Sequence, residues 1–141
     1  GAPGSADMVI TARNIHNWMW QPGMLDKAMA DFHAVLKPGG VLAVEEHRAD
    51  PTRAQVPDAR DGYVATDTVI AAAQKAGFQL AARSEVNANP KDTKDHPFGV
   101  WTLPPSRQSA KNGDATDPAF DRAKYDAIGE SDRMTLRFVK Q

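Results

Sequence analysis

Apolar and polar positions alternate between two rhythms along the chain. Residues 7–13 (Asp-Met-Val-Ile-Thr-Ala-Arg) are a short apolar run after a Gly/Pro/Ser turn, which predicts a buried strand. Leu25, Ala28, Met29, Phe32, Val35 and Leu36 then recur at helical spacing and form one apolar stripe. Pro22 suits the helix start, and Lys37-Pro38-Gly39-Gly40 stops it. Residues 41–47 (Val-Leu-Ala-Val-Glu-Glu-His) predict a second strand, apolar first and charged at its end. Thr66 is placed to cap a helix over 67–76, with Asp67 in its first turn and Gly77 beyond its end. Phe78 to Val86 reads as a third strand by residue type. Asp117-Pro118 opens a short helix through about Ala127, and residues 133–139 alternate cleanly as the last strand.

The segments between are polar. Residues 14–20 read as an aromatic loop and 48–65 as a polar one. Residues 87–131 contain much proline and little periodicity, which predicts a long insertion or lid over a single domain spanning 1–141. Strands joined through helices run parallel when they share a sheet. The expected class is therefore α/β, with the last strand free to insert antiparallel after its long excursion.

Composition removes several alternatives. The 141 residues suffice for one core. Hydrophobic residues are 41% and charged residues 25%, a globular balance. The 17 Lys+Arg against 18 Asp+Glu leave a charge of −1, and no basic run marks a nucleic-acid surface. No apolar stretch approaches membrane-spanning length, and Gly-Ala-Pro-Gly-Ser at the N-terminus has no leader-like pattern. Cysteine is absent, so thiolate metal sites are excluded.

Three motif groups carry resemblance to a known family. Asp7-Met8-Val9-Ile10, the Leu36-Lys37-Pro38-Gly39-Gly40 stop and the strand Val41-Leu42-Ala43-Val44 resemble the second half of class I S-adenosylmethionine-dependent methyltransferases. Ala76-Gly77-Phe78 is also typical of that fold. Arg13-Asn14-Ile15-His16-Asn17-Trp18, Asn87 to Pro97, Gly99 to Pro105 and Ile128 to Met134 resemble a bacterial group of little-characterised methyltransferases. The resemblance implies strands four to seven of a Rossmann-like sheet, the last antiparallel, with helices packing on it. It implies S-adenosylmethionine as cofactor and a small-molecule substrate. The family holds its cofactor on a glycine-rich turn after strand one, and no such turn occurs here. By that pattern the chain is roughly the C-terminal half of the domain and does not bind the cofactor alone in the family manner.

The candidate site lies at strand C-termini, where open α/β sheets bind ligands. His16 is the candidate general base and Asn14 its companion. Arg13, Asn17, Trp18, Glu46, His47, Asn89 and His96 are candidate substrate contacts. His16, His47, His96 and Glu45 or Glu46 offer ligands for Zn²⁺ or Mn²⁺, but their spacing matches no metal motif, and a solvated polar strand end is the simpler expectation. No metal is assigned. Phe98, Trp101 and Leu103 are expected to pin the lid to the body.

Two other functions fit the residues. Without strands one to three, Met8 to Ala12 is an exposed apolar edge that would recruit a second copy, making the chain a non-catalytic assembly module. Gly129-Glu130-Ser131-Asp132-Arg133 approaches a nucleophile elbow, which suggests a small hydrolase built on Ser131 or on a metal. However, a strand follows it where the elbow requires a helix.

Overall fold

A computed structural model describes all 141 residues. Four strands form one sheet: β1 (Ala6–Ala12), β2 (Leu36–His47), β3 (Phe78–Ser84) and β4 (Arg133–Lys140). Their spatial order is β1-β2-β4-β3. β1 and β2 are parallel, and β4 lies antiparallel between β2 and β3. The α/β sheet with an inserted antiparallel last strand is thus as expected. The helices are α1 (Ile15–Met19), α2 (Met24–Val35), α3 (Thr66–Lys75) and α4 (Arg122–Asp126), and a 3₁₀ turn spans Gly99–Thr102. No helix is long and apolar enough to cross a membrane.

Several boundaries differ from the sequence reading. Residues 14–20 are not simply a loop: α1 occupies most of them, started by the backbone carbonyl of Asn14, which accepts from the N–H groups of Asn17 and Trp18. α4 is shorter than expected, because Asp121 caps it by accepting from the Lys124 N–H. Leu36 is already extended, and β2 starts there. Lys37 to Gly40 is a bulge: Ala6 pairs with Leu36, yet Met8 pairs with Val41. Gly39 takes φ +75° to make that turn.

The sheet has two unequal faces. Leu42, Val44, Met134, Leu136 and Phe138 alternate onto one face and are buried against Met29 of α2 and Val69, Ile70, Ala72 and Ala73 of α3. The register places Met8, Ile10, Val41, Ala43, Arg137 and Val139 on the other face. None of these is buried, and Met8 and Ile10 are 54% and 71% exposed. A sheet of this kind ordinarily carries helices on both faces.

This asymmetry predicts unequal costs of truncation. Phe138→Ala is expected to lose about 3–5 kcal/mol of stability, and Ile10→Ala less than about 1 kcal/mol, in urea unfolding. Equal losses would mean that the open face is covered.

Candidate functional site

The carboxyl ends of β1 and β2 meet at one rim. β1 is followed by Arg13, whose φ of +54° is unusual for a bulky residue and turns the chain sharply into α1. Its N–H donates to the Glu45 carbonyl, 2.9 Å away. α1 therefore begins over the rim and lowers His16 onto β2.

His16 is 3% exposed and Glu46 fully buried. His16 Nδ1 lies 2.9 Å from Glu46 Oε1. The backbone N–H groups of His16 and His47 also donate to that carboxylate. A buried carboxylate is costly unless its oxygens are satisfied, and these three contacts satisfy it. The strand end expected to be solvated is therefore inside the protein. The strict alternation of β2 turns Glu46 to the same face as Leu42 and Val44, and α1 covers it.

His47, the last residue of β2, sets its ring beside that of His16 at the strand's end. Its Nδ1 lies 2.5 Å from Ser131 Oγ, and its ring centroid is 5.4 Å from that of His16. Burial pushes the His47 imidazole down to about 3, and the nearby His16, Arg133 and Arg13 act in the same direction. It is neutral at physiological pH. Ser131 is 4% exposed and stands just ahead of Asp132 and β4, so it lies in a strand approach rather than in a strand-to-helix elbow.

A strap formed by residues 85–132 roofs the rim. Trp101, from the 3₁₀ turn, packs its ring edge-on to His16 at 5.8 Å and against Trp20 at 6.4 Å. The Val100 N–H donates to the Asp61 carbonyl, and a Cβ on Gly99 would collide with the Asp61 backbone. Leu103 is buried beside it. Trp101 and Leu103 thus pin the strap to the body as expected, whereas Phe98 packs on Phe120 within the strap itself.

Two carboxylates organise the strap. Asp92, buried, accepts from the Tyr63 hydroxyl, the backbone N–H groups of Lys94 and Asp132, and His96 Nε2 at 2.7 Å. Burial and the Asp92 charge push the Tyr63 hydroxyl far above the ordinary tyrosine range, so it remains a donor. Asp132 receives a two-pronged contact from Arg48, the Lys94 ammonium at 2.8 Å and the Asn89 N–H. Burial alone would raise its carboxyl, but these donors outweigh burial and bring it to about 2.

The structure thus gathers some of the expected residues and separates others. His16, Glu46 and His47 form one cluster. Arg13 and Asn14 are exposed at its mouth, with Asn17 half-buried one turn further along. Trp18 packs on Phe32 of α2. The Asn89 side chain donates to the carbonyls of Ile128 and Glu130. His96 is held by Asp92 and lies outside the His16 cluster. Sequence reading missed Tyr63 and the roles of Asp92 and Asp132. The pairing of His47 with Arg133 in the β2–β4 register brings Arg48 beside Asp132, a register that only the folded sheet shows.

No protein-family model and no curated protein matches the sequence. Solved structures do match. The (4+2)-cyclase SpnF aligns with 99% of this chain at a TM-score of 0.59 and 16% identity. An S-adenosylmethionine-dependent methyltransferase from Mesorhizobium loti aligns with 98% at 0.52 and 10%. The chain spans 51% and 63% of their lengths, respectively. At these identities the likeness is one of fold: this chain has a partial, Rossmann-like methyltransferase fold.

The Asp132 carboxyl predicts a pH dependence. Its folded value lies below the ordinary 3.8, so its contribution is complete above that value. The contribution disappears as pH falls toward about 2. Asp132→Asn is expected to flatten this part of the stability–pH curve, measured by urea unfolding. An unchanged slope would contradict the assignment.

Proposed function

We propose that this chain is the substrate side of a methyltransferase-like domain, roughly the C-terminal half of the fold, with residues 87–131 as its lid. The whole domain would transfer a methyl group from S-adenosylmethionine to a small molecule. The observation that carries this reading is the His16–Glu46 pair at the carboxyl ends of two adjacent parallel strands, where such sheets bind their ligands. The open sheet face and the free β1 edge support the half-domain reading, because they are where further strands and helices would pack.

In-line methyl transfer needs a substrate lone pair aimed at the methyl carbon. As that bond forms, the carbon–sulfur bond breaks and its electrons stay on sulfur. The protein's part is alignment and relief of the nucleophile's proton. His16 donates its Nδ1–H to Glu46, which leaves the Nε2 lone pair to accept that proton. Asn14 and Arg13 stand exposed beside it to bind the substrate's polar groups. The Glu46 contacts fix the ring before substrate arrives.

Calorimetry tests the division of labour. The chain alone is expected to give no saturable heat with S-adenosylmethionine. In a polypeptide that also carries strands one to three, His16→Ala should leave cofactor binding intact and lower turnover by about 10²–10⁴-fold. Unchanged turnover would remove His16 from the reaction.

The exposed Met8 and Ile10 favour a second reading, an assembly module that self-associates through the β1 edge. Sedimentation is expected to show a homo-oligomer that Ile10→Lys converts to monomer. A monomeric parent chain would contradict that reading.

A further inference from the structure

The His16–Glu46–His47 cluster has a property that proton transfer does not use. One donor atom from each of the three side chains lies within 4.8 Å of the other two. In both imidazoles Nδ1 is engaged, His16 on Glu46 and His47 on Ser131. Neither Nε2 has a hydrogen-bond partner in the protein. His47 is held as histidine ligands characteristically are, with one nitrogen fixed by a hydroxyl and the other free for the metal, whereas at His16 the ion would take the place of the proton shared between Nδ1 and Glu46 Oε1.

We propose that His16, Glu46 and His47 form a binding site for a divalent cation of Zn²⁺ type. Two imidazoles and one carboxylate suit a borderline cation, whereas Mg²⁺ and Ca²⁺ favour all-oxygen sets. Zinc ligands stand about 2.0–2.2 Å from the ion, so the three donor atoms would draw together from their present spread of up to 4.8 Å. The roof of Trp20 and Trp101 would shield the ion from bulk water. Two cations face the site. Arg133 is compensated by Glu45 at 2.9 Å and Glu130 at 2.6 Å, while the Arg13 side chain is exposed to solvent. The site goes beyond the methyl-transfer reading, because it needs only these three side chains and would exist equally in an assembly module. With the cation in place, a substrate oxygen would be prepared by coordination instead of by proton transfer to His16.

The test uses the chain freed of metal by chelator, with Zn²⁺ titrated by calorimetry and Co²⁺ followed by its visible absorption. The expected result is saturable binding of one ion per chain, with a tetrahedral-type Co²⁺ spectrum. His47→Gln should abolish the spectrum, and Ser131→Ala should weaken binding about 10–100-fold through the lost support of His47. His33→Gln, on α2, should change nothing. His16→Gln should likewise abolish the spectrum, and should that variant fail to fold, shifts of the His16 and His47 ring resonances on adding Zn²⁺ to the parent chain serve instead. Absence of saturable binding, or binding insensitive to His47→Gln, would overturn the proposal. Both readouts are independent of methyl transfer.

Discussion

The structure depends on the need to satisfy two carboxylates taken out of water. Asp92 and Asp132 belong to a long irregular excursion that has no strand and little helix of its own. Such a segment ordinarily stays mobile, because ordering it costs backbone entropy. Here each carboxylate collects several donors from separated parts of the chain. Tyr63, Lys94 and His96 converge on Asp92, and Arg48, Lys94 and Asn89 on Asp132. Removing one partner from such a network leaves a buried charge uncompensated, so its members stand or fall together. The strap consequently has one position, with Trp101 on His16 and Ser131 on His47.

The second organising feature is the inequality of the sheet faces. One face is a conventional core under α2 and α3. The other offers Met8, Ile10, Val41 and Ala43 with nothing buried above them. The cluster at the carboxyl rim does not depend on that open face, because every hydrogen bond to Glu46 comes from α1 or from β2 itself. A (4+2)-cyclase has a related fold, so the reaction has to be argued from the rim residues and not from the sheet.

Much of this was legible in the sequence. Strand alternation in 133–139 and the helical stripe from Leu25 to Val35 reported the core faces directly, because burial on one side imposes a period on the residues. His16 and Glu46 could be placed at the rim from strand ends alone. Their burial could not, because it depends on α1, a single turn too short to carry a period. The network around Asp92 was also unreadable. Its members are separated by tens of residues, and each looks like an ordinary polar loop residue until the fold brings them together. His96, in a polar block along the chain, is bonded to the Asp92 carboxylate and stands apart from the His16 cluster.

The central claim is that Asp92 holds the strap and the strap holds the rim. Hydrogen exchange on Asp92→Asn, with Trp101 fluorescence followed alongside, tests this most directly. The account predicts that amides of Gly99 to Leu103 lose protection and that Trp101 becomes solvent-exposed, while Leu42 to Val44 and Leu136 to Phe138 stay protected. Full protection of the strap in that variant would contradict it.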